Sequence, residues 1–280
     1  MTRLWPSLAL AALLAAASQA TAEPPQTLRL DYFHTGSASE EIFSFDRLVV
    51  EPLPWPGNPD RPIDDTNLGK YLFEVREPEG GALLYSRGFA SIYGEWETTG
   101  EARQMHRTFQ ESLRFPLPAG PVEVAIKKRD AQNAFREVWT TQIDPGDFLT
   151  DTSLPPEQEL LEIQRSGDPA HKVDVLLLGD GYTAGECGTF LSQARGLTEA
   201  LFSVSPFRER REEFNVWGLC PPAAESGISR PSTGIHRRSP ARVTYDAFRS
   251  ERYVLAFDNR AWRDIAAWAP YEFVEILVNN

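Results

Sequence analysis

The sequence predicts two architectures in one chain, an N-terminal all-β domain followed by an α/β domain with a mainly parallel sheet. Three observations carry this. Short alternating apolar runs fill residues 27–143, continuous apolar runs alternate with a helical pattern after His171, and a Pro- and Asp-rich stretch lies between them. A half-buried strand points every second side chain at the core, whereas a strand covered on both faces is apolar throughout. The change of rhythm therefore marks a change of architecture.

In the first part, strands are expected at Leu28 to Phe33, Phe45 to Glu51, Tyr71 to Arg76, Ala82 to Gly88, Thr108 to Pro116, Val122 to Lys128 and Arg136 to Gln142. About seven strands with turn signals such as Pro54-Trp55-Pro56-Gly57 and Pro118-Ala119-Gly120-Pro121 fit an Ig-like β-sandwich. Trp55 and Trp96 are expected in core or turn packing, with a glycan or protein contact as the alternative.

A connector follows over residues 151–168, where Pro155-Pro156 predicts the first turn of a short helix running to Gln164 and ending near Gly167. The sequence thus divides into residues 1–22, a β-sandwich at 23–150, the linker, and an α/β part at 169–280. In the last of these, Val173 to Leu178 reads as a buried strand and Gly179-Asp180-Gly181-Tyr182-Thr183 as a turn. Thr183 and Glu186 form a capping box for a helix from Ala184 to about Phe202. That helix carries Cys187, Phe190, Leu191, Ala194, Leu197 and Leu201 on one side. Phe214 to Leu219 is a second strand, Asp258 to Ala267 an amphipathic helix and Phe273 to Val278 a third strand.

Composition narrows the functions. With 41% apolar residues, disorder is excluded. A net charge of -12 disfavours nucleic acid and anionic membranes as partners. Arg3, the Leu/Ala run from Leu8 to Ala17 and the small residues Ala20 and Ala22 form a Sec-type signal peptide expected to be cleaved after Ala22. The run is too short to span a bilayer, so an exported protein, periplasmic or secreted, with no integral membrane segment is expected. In an oxidising compartment Cys187 and Cys220 either pair as a disulfide or stay as buried thiols.

The search for chemistry begins at the turn after the first buried strand. Gly179-x-Gly181-x-x-x-Gly185 lies one residue from a dinucleotide fingerprint, but Asp180 puts a negative charge where a pyrophosphate would sit. Asp180, Tyr182 and Glu225 are the candidates for lining a cleft at the strand ends. His34, His106, His171 and His236 are widely separated, and neither His-Glu-x-x-His nor Gly-x-Ser-x-Gly occurs. No catalytic or metal-binding residue is assigned. Arg237, Arg238 and Arg242 form a basic loop that reads as surface charge or as a group orienting an acidic substrate.

Several blocks occur together in order: Leu178-Gly179-Asp180-Gly181-Tyr182-Thr183, Glu199-Ala200-Leu201-Phe202, Pro206-Phe207-Arg208, Phe214-Asn215-Val216, Ala224-Glu225-Ser226-Gly227, Ala269-Pro270-Tyr271 and Ile276-Leu277-Val278-Asn279. Through these blocks the chain resembles the IgA-peptidase family of bacterial zinc metallopeptidases. The resemblance implies an N-terminal β-sandwich, a zinc cofactor held in the parent protein by a His-Glu-x-x-His helix, and a protein substrate. It also implies a truncated form: the metal helix would follow Phe273 to Val278, so this chain is expected to bind no zinc and to be inactive by itself, with residues 169–280 aggregation-prone alone. Two alternatives differ in class: an exported module that binds a cell-surface protein or glycan, and a nucleotide- or phosphate-binding α/β protein.

Overall fold

The structure is a computed structural model and describes residues 24–280. The expected signal peptide, residues 1–22, lies outside the described residues. Seven strands form the N-terminal part: β1 (Gln26–Gly36), β2 (Glu41–Pro54), β3 (Tyr71–Arg76), β4 (Leu83–Phe89), β5 (Arg107–Pro116), β6 (Val122–Arg129) and β7 (Phe135–Ile143). They make two antiparallel sheets, in the orders β2-β1-β5 and β4-β3-β6-β7. Inward residues of both sheets share one core, with Leu28, Leu30, Tyr32, Leu113 and Phe115 from the first and Tyr71, Phe73, Val75, Val124 and Ile126 from the second. Each such side chain stabilises the fold by roughly 1.5–3 kcal/mol through area removed from water.

An insertion between β4 and β5 was not visible in the apolar pattern. It contains a short helix, α1 (Ile92–Trp96), started by the Ser91 hydroxyl accepting from the Gly94 N–H. Trp96 is fully buried, with its indole N–H donating to Glu101, and Trp55 is buried edge-on to Tyr85. Neither ring faces solvent, so neither offers a stacking surface for a glycan.

The connector does not form the expected helix. Residues 152–160 carry no regular structure, and Leu161–Gln164 is a strand, β8. Leu161 and Ile163 alternate with polar neighbours and pack into the second core, and pairing satisfies a sheet edge that a helix would leave open.

The second part centres on β9 (Val173–Asp180), β10 (Phe214–Leu219) and β13 (Phe273–Val278), in the order β13-β9-β10-β8. β9 pairs parallel with both β13 and β10, and β10 pairs antiparallel with β8, so the sheet is mixed rather than simply parallel. One face packs on α2 (Cys187–Leu201) through Phe190 and Ala194. Thr198, not Leu197, completes the buried stripe; its hydroxyl turns back to the Ala194 carbonyl at 2.9 Å, while Leu197 stays 46% exposed. The other face packs under a loop, the ribbon β11 (Val243–Thr244) with β12 (Leu255–Ala256), and α3 (Asn259–Ala266).

β1 explains how the two parts are joined. Leu28, Leu30 and Tyr32 face the sheet core, and the alternate Arg29 and Asp31 are buried as well because the second part covers them. Arg29 donates to Asp31 at 3.0 Å and to Asp264 of α3 at 2.5 Å, with Glu51 at 3.5 Å. Arg114 forks onto Glu51, donates to the Tyr271 carbonyl at 2.8 Å and lies 3.7 Å from the Tyr271 ring centre. Asn259 donates to Ser112, and Arg260 pairs with Asp46. The joint is therefore an ion network with a buried centre at Arg29, Asp31, Glu51 and Arg114 and a partly exposed edge at Asp264 and Arg260.

One carboxyl group at this joint titrates unusually. Burial pushes Glu272 up to about 7, and the Asp174 carboxylate adds to the effect against the Asp174 N–H, Arg87 and Arg114. Its folded pKa lies above its unfolded value, so the stability it contributes is complete below about pH 4.5 and is lost as pH rises through 7. The full swing is about 3 kcal/mol. Glu272→Gln is expected to shrink the difference in Tm between pH 5 and pH 8; a variant with the parent pH profile would show that Glu272 is not the group responsible.

Candidate functional site

The carboxyl ends of β9, β10 and β13 come to one edge, the position where open α/β sheets place ligands. The local sequence builds that edge tightly. Gly179 sits where a Cβ would lie 2.9 Å from the Phe190 ring, and Gly181 takes φ +81°, which lets the chain turn sharply off β9. The capping box then opens the helix: Glu186 accepts from the Thr183 N–H and from its hydroxyl, both at 2.8 Å. These bonds, with one from Ser226, hold the Glu186 carboxyl down at about 2. Cys187, at the start of α2, is disulfide-bonded to Cys220, just past β10. Of the two states left open by the sequence, the bond is the one present.

Three segments close into a rim. The Gly227 N–H donates to the Gly181 carbonyl at 2.9 Å and the Ala223 N–H to the Tyr182 carbonyl at 2.7 Å. Asn279 donates from its backbone to Asp180 at 2.9 Å, and from its side chain to Gly181 at 3.1 Å and Ser226 at 3.0 Å. The Ser226 hydroxyl in turn donates a hydrogen bond to Glu186 at 2.9 Å. Asn279, Ser226 and Glu186 thus knit the three strand ends together. None was assigned a role from the sequence; Glu186 was visible only as a cap, and the other two only as members of resemblance blocks.

The sequence candidates separate. Asp180 is fully buried, its carboxylate turned to the 239–243 loop. It accepts from the Ser239 hydroxyl at 2.6 Å and from the N–H groups of Ala241 at 2.8 Å and Val243 at 3.0 Å. Burial raises its pKa against those donors. Its work is to pin the 239–243 loop over the sheet. Tyr182 is buried against Phe190 and donates to Gln193 at 2.6 Å, so it does not line a cleft either. Both were expected there because the turn residues of β9 sit at the right edge; period-two alternation sends Asp180 to the loop face instead. Glu225 is exposed on the rim and pairs with Arg237 at 2.8 Å.

The glycine turn does not form a phosphate cradle. Phe190 fills the space beside Gly179, and the carboxylate of Glu186 already takes the donors of Thr183 at the helix start. An apolar groove of about 650 Å³ lies elsewhere, along α2 beside Val173, Phe214 and Phe273. These residues begin their strands, so the groove is at the end remote from the rim.

Among the described residues no group of three or more His, Cys, Asp or Glu is arranged to hold a metal ion. His34 is buried in the N-terminal sheets, its Nδ1 3.0 Å from Glu111 and its Nε2 2.9 Å from Glu41. His106 lies by Glu40 in the same part of the chain. His171 ends a short 3-10 turn before β9, and His236 lies on a separate loop of the second part. These four histidines do not come together in a zinc site.

The fold and rim define a two-part protein whose second part presents a prepared strand-end edge beneath loops. The family model described as IgA Peptidase M64 matches residues 161–280, and that described as Peptidase M64 N-terminus matches residues 21–140. The chain belongs to the M64 peptidase family and is metallopeptidase-like. Among curated proteins, none matches the chain. Among the described residues no helix is long and apolar enough to cross a membrane.

Proposed function

We propose that these residues are the front part of an exported zinc metalloendopeptidase acting on protein substrates: an Ig-like β-sandwich followed by the first half of an α/β catalytic fold. The observation that carries this reading is the family match across both parts, combined with a rim at the strand ends where a substrate and a catalytic group would meet. On this reading the zinc ligands and the general base are supplied by residues other than 24–280, among which no group of donors is arranged to hold a metal. The rim supplies the floor: Asn279, Ser226 and Glu186 fix the relative positions of the three strand ends. The β-sandwich buttresses α3 and β13 through the buried ion network.

Export is supported by the Leu/Ala leader and by the Cys187–Cys220 bond, which persists in oxidising compartments. Intact mass of material secreted from a bacterial host is expected to start at Glu23. For the activity, the chain extended by the coding sequence that follows codon 280 is expected to cleave casein, with cleavage abolished by 1,10-phenanthroline and restored by zinc. Casein hydrolysis that chelators leave untouched would remove the metallopeptidase reading.

A further inference from the structure

Residues 229–242 carry Arg230, Arg237, Arg238 and Arg242 with no Asp or Glu, in a chain whose net charge is -12. The segment is exposed from Pro231 to Arg238 and yet is firmly tied. The Ser229 hydroxyl accepts from the Arg237 N–H at 2.9 Å and donates to its carbonyl at 3.0 Å. Arg230 and Ile235 exchange backbone bonds across a turn completed by Gly234 at φ +73°. The Ser232 N–H donates to Asp246 at 2.8 Å, and Asp180 grips the base at Ser239, Ala241 and Val243. The result is a projecting arm whose order is fixed before anything binds.

Its cations are unevenly neutralised. Arg237 is paired with Glu225 and Arg242 with Asp258. Among the described residues Arg230 and Arg238 have no carboxylate partner; Arg230 instead stacks 4.2 Å over the Tyr245 ring and approaches Asn280. Arg230 and Arg237 both reach residues of the strand-end rim, so the arm stands directly beside the edge where substrate would enter. Ile235, 41% exposed, adds an apolar contact at the tip.

We infer that the 229–242 arm is a docking site for acidic stretches of polypeptide, with Arg230 and Arg238 as its specificity-determining cations. The inference rests on the peptidase reading for its meaning, since it names the substrate class that the rim would favour. Guanidinium groups bind carboxylates with matched geometry, and several weak exposed pairs on a preorganised arm add where one would not suffice. The strongly acidic remainder of the chain repels a long phosphate backbone, which favours a peptide over a nucleic acid.

The test uses this chain and fluorescence anisotropy with a fluorescein-labelled peptide of alternating Glu and Ala. The same peptide with Gln for Glu and a single-stranded DNA oligonucleotide serve as probes of chemistry. The Glu peptide is expected to bind, with affinity falling as salt is raised, and the Gln peptide to bind at least about tenfold more weakly. Arg238→Glu, at a side chain that makes no ion pair, is expected to weaken Glu-peptide binding about tenfold, Arg230→Gln to weaken it as well, and Arg165→Glu, a remote exposed control, to leave it unchanged. A melting curve matching the parent confirms that each variant folds. Equal binding of Glu and Gln peptides, retention of binding in both arm variants, or DNA binding as tight as the Glu peptide would overturn the inference. Because the readout is binding, its loss leaves the peptidase reading standing, and failure of chelator-sensitive proteolysis leaves the binding result standing.

Discussion

Replacing Arg29 by alanine is expected to lower the unfolding free energy by about 3–5 kcal/mol, the cost of breaking a buried charge network by removing one member. The guanidinium is completely buried, and Asp31, Glu51 and Asp264 all depend on it for part of their compensation. Asp31 and Asp264 keep Arg47, and Glu51 keeps Arg114, so the carboxylates are not abandoned entirely. Asp264 is the contact that crosses from β1 to α3. The loss is therefore expected to weaken the joint, which Arg114, Asn259 and Arg260 still hold, as well as to destabilise the fold. Calorimetry should show the parent's transition lowered and broadened in Arg29→Ala. Asp264→Asn, which leaves Arg29 its other two partners, is expected to cost less. A single transition in Arg29→Ala with an unchanged midpoint would show that the network contributes nothing.

Removing the disulfide is the other large effect. Cys187 and Cys220 are 33 residues apart, and cross-linking a loop of that length restricts the unfolded chain by about 4 kcal/mol in the chain-entropy account. The bond also joins the first turn of α2 to the end of β10, next to the loop that carries Glu225 and Ser226. A Cys187→Ala/Cys220→Ala double variant is expected to unfold at lower denaturant concentration, with the loss concentrated in the second part. Hydrogen exchange should then report faster opening of residues 220–228 than of β1 or β6. Equal protection of that loop in parent and variant would mean that the rim hydrogen bonds hold it without the bond.

Much of the fold was legible because it rests on local rules. All seven N-terminal strands fall where alternation placed them, within a few residues at each end. The Thr183 and Glu186 capping box forms as written, and the amphipathic helix expected from Asp258 to Ala267 is present as α3. What stayed hidden depends on distant partners. Arg29 and Asp31 alternate with apolar residues just as a solvent-facing row does, and only the second part of the chain makes that row an interface. The connector carries a helix-start signal in Pro155-Pro156, but the free edge of β10 recruits Leu161–Gln164 as an antiparallel strand. That same edge makes the sheet mixed.

The candidate site was legible as a place but not in its details. Glycines between a buried strand and a helix correctly locate the strand-end edge. Which way Asp180 and Tyr182 point is decided by strand parity and by the loop and helix packed on either side, and both side chains turn out to hold structure together. The basic loop was readable as charge. Its position beside the rim follows from Asp180 gripping a segment about sixty residues later, a contact with no local signal.

The most direct test of the central claim is the zinc content of the purified 280-residue chain after saturation with zinc and gel filtration. No stoichiometric metal is expected, because among the described residues the His, Cys, Asp and Glu donors stand apart. One zinc retained per chain, together with hydrolysis of a protein substrate by that material, would contradict it.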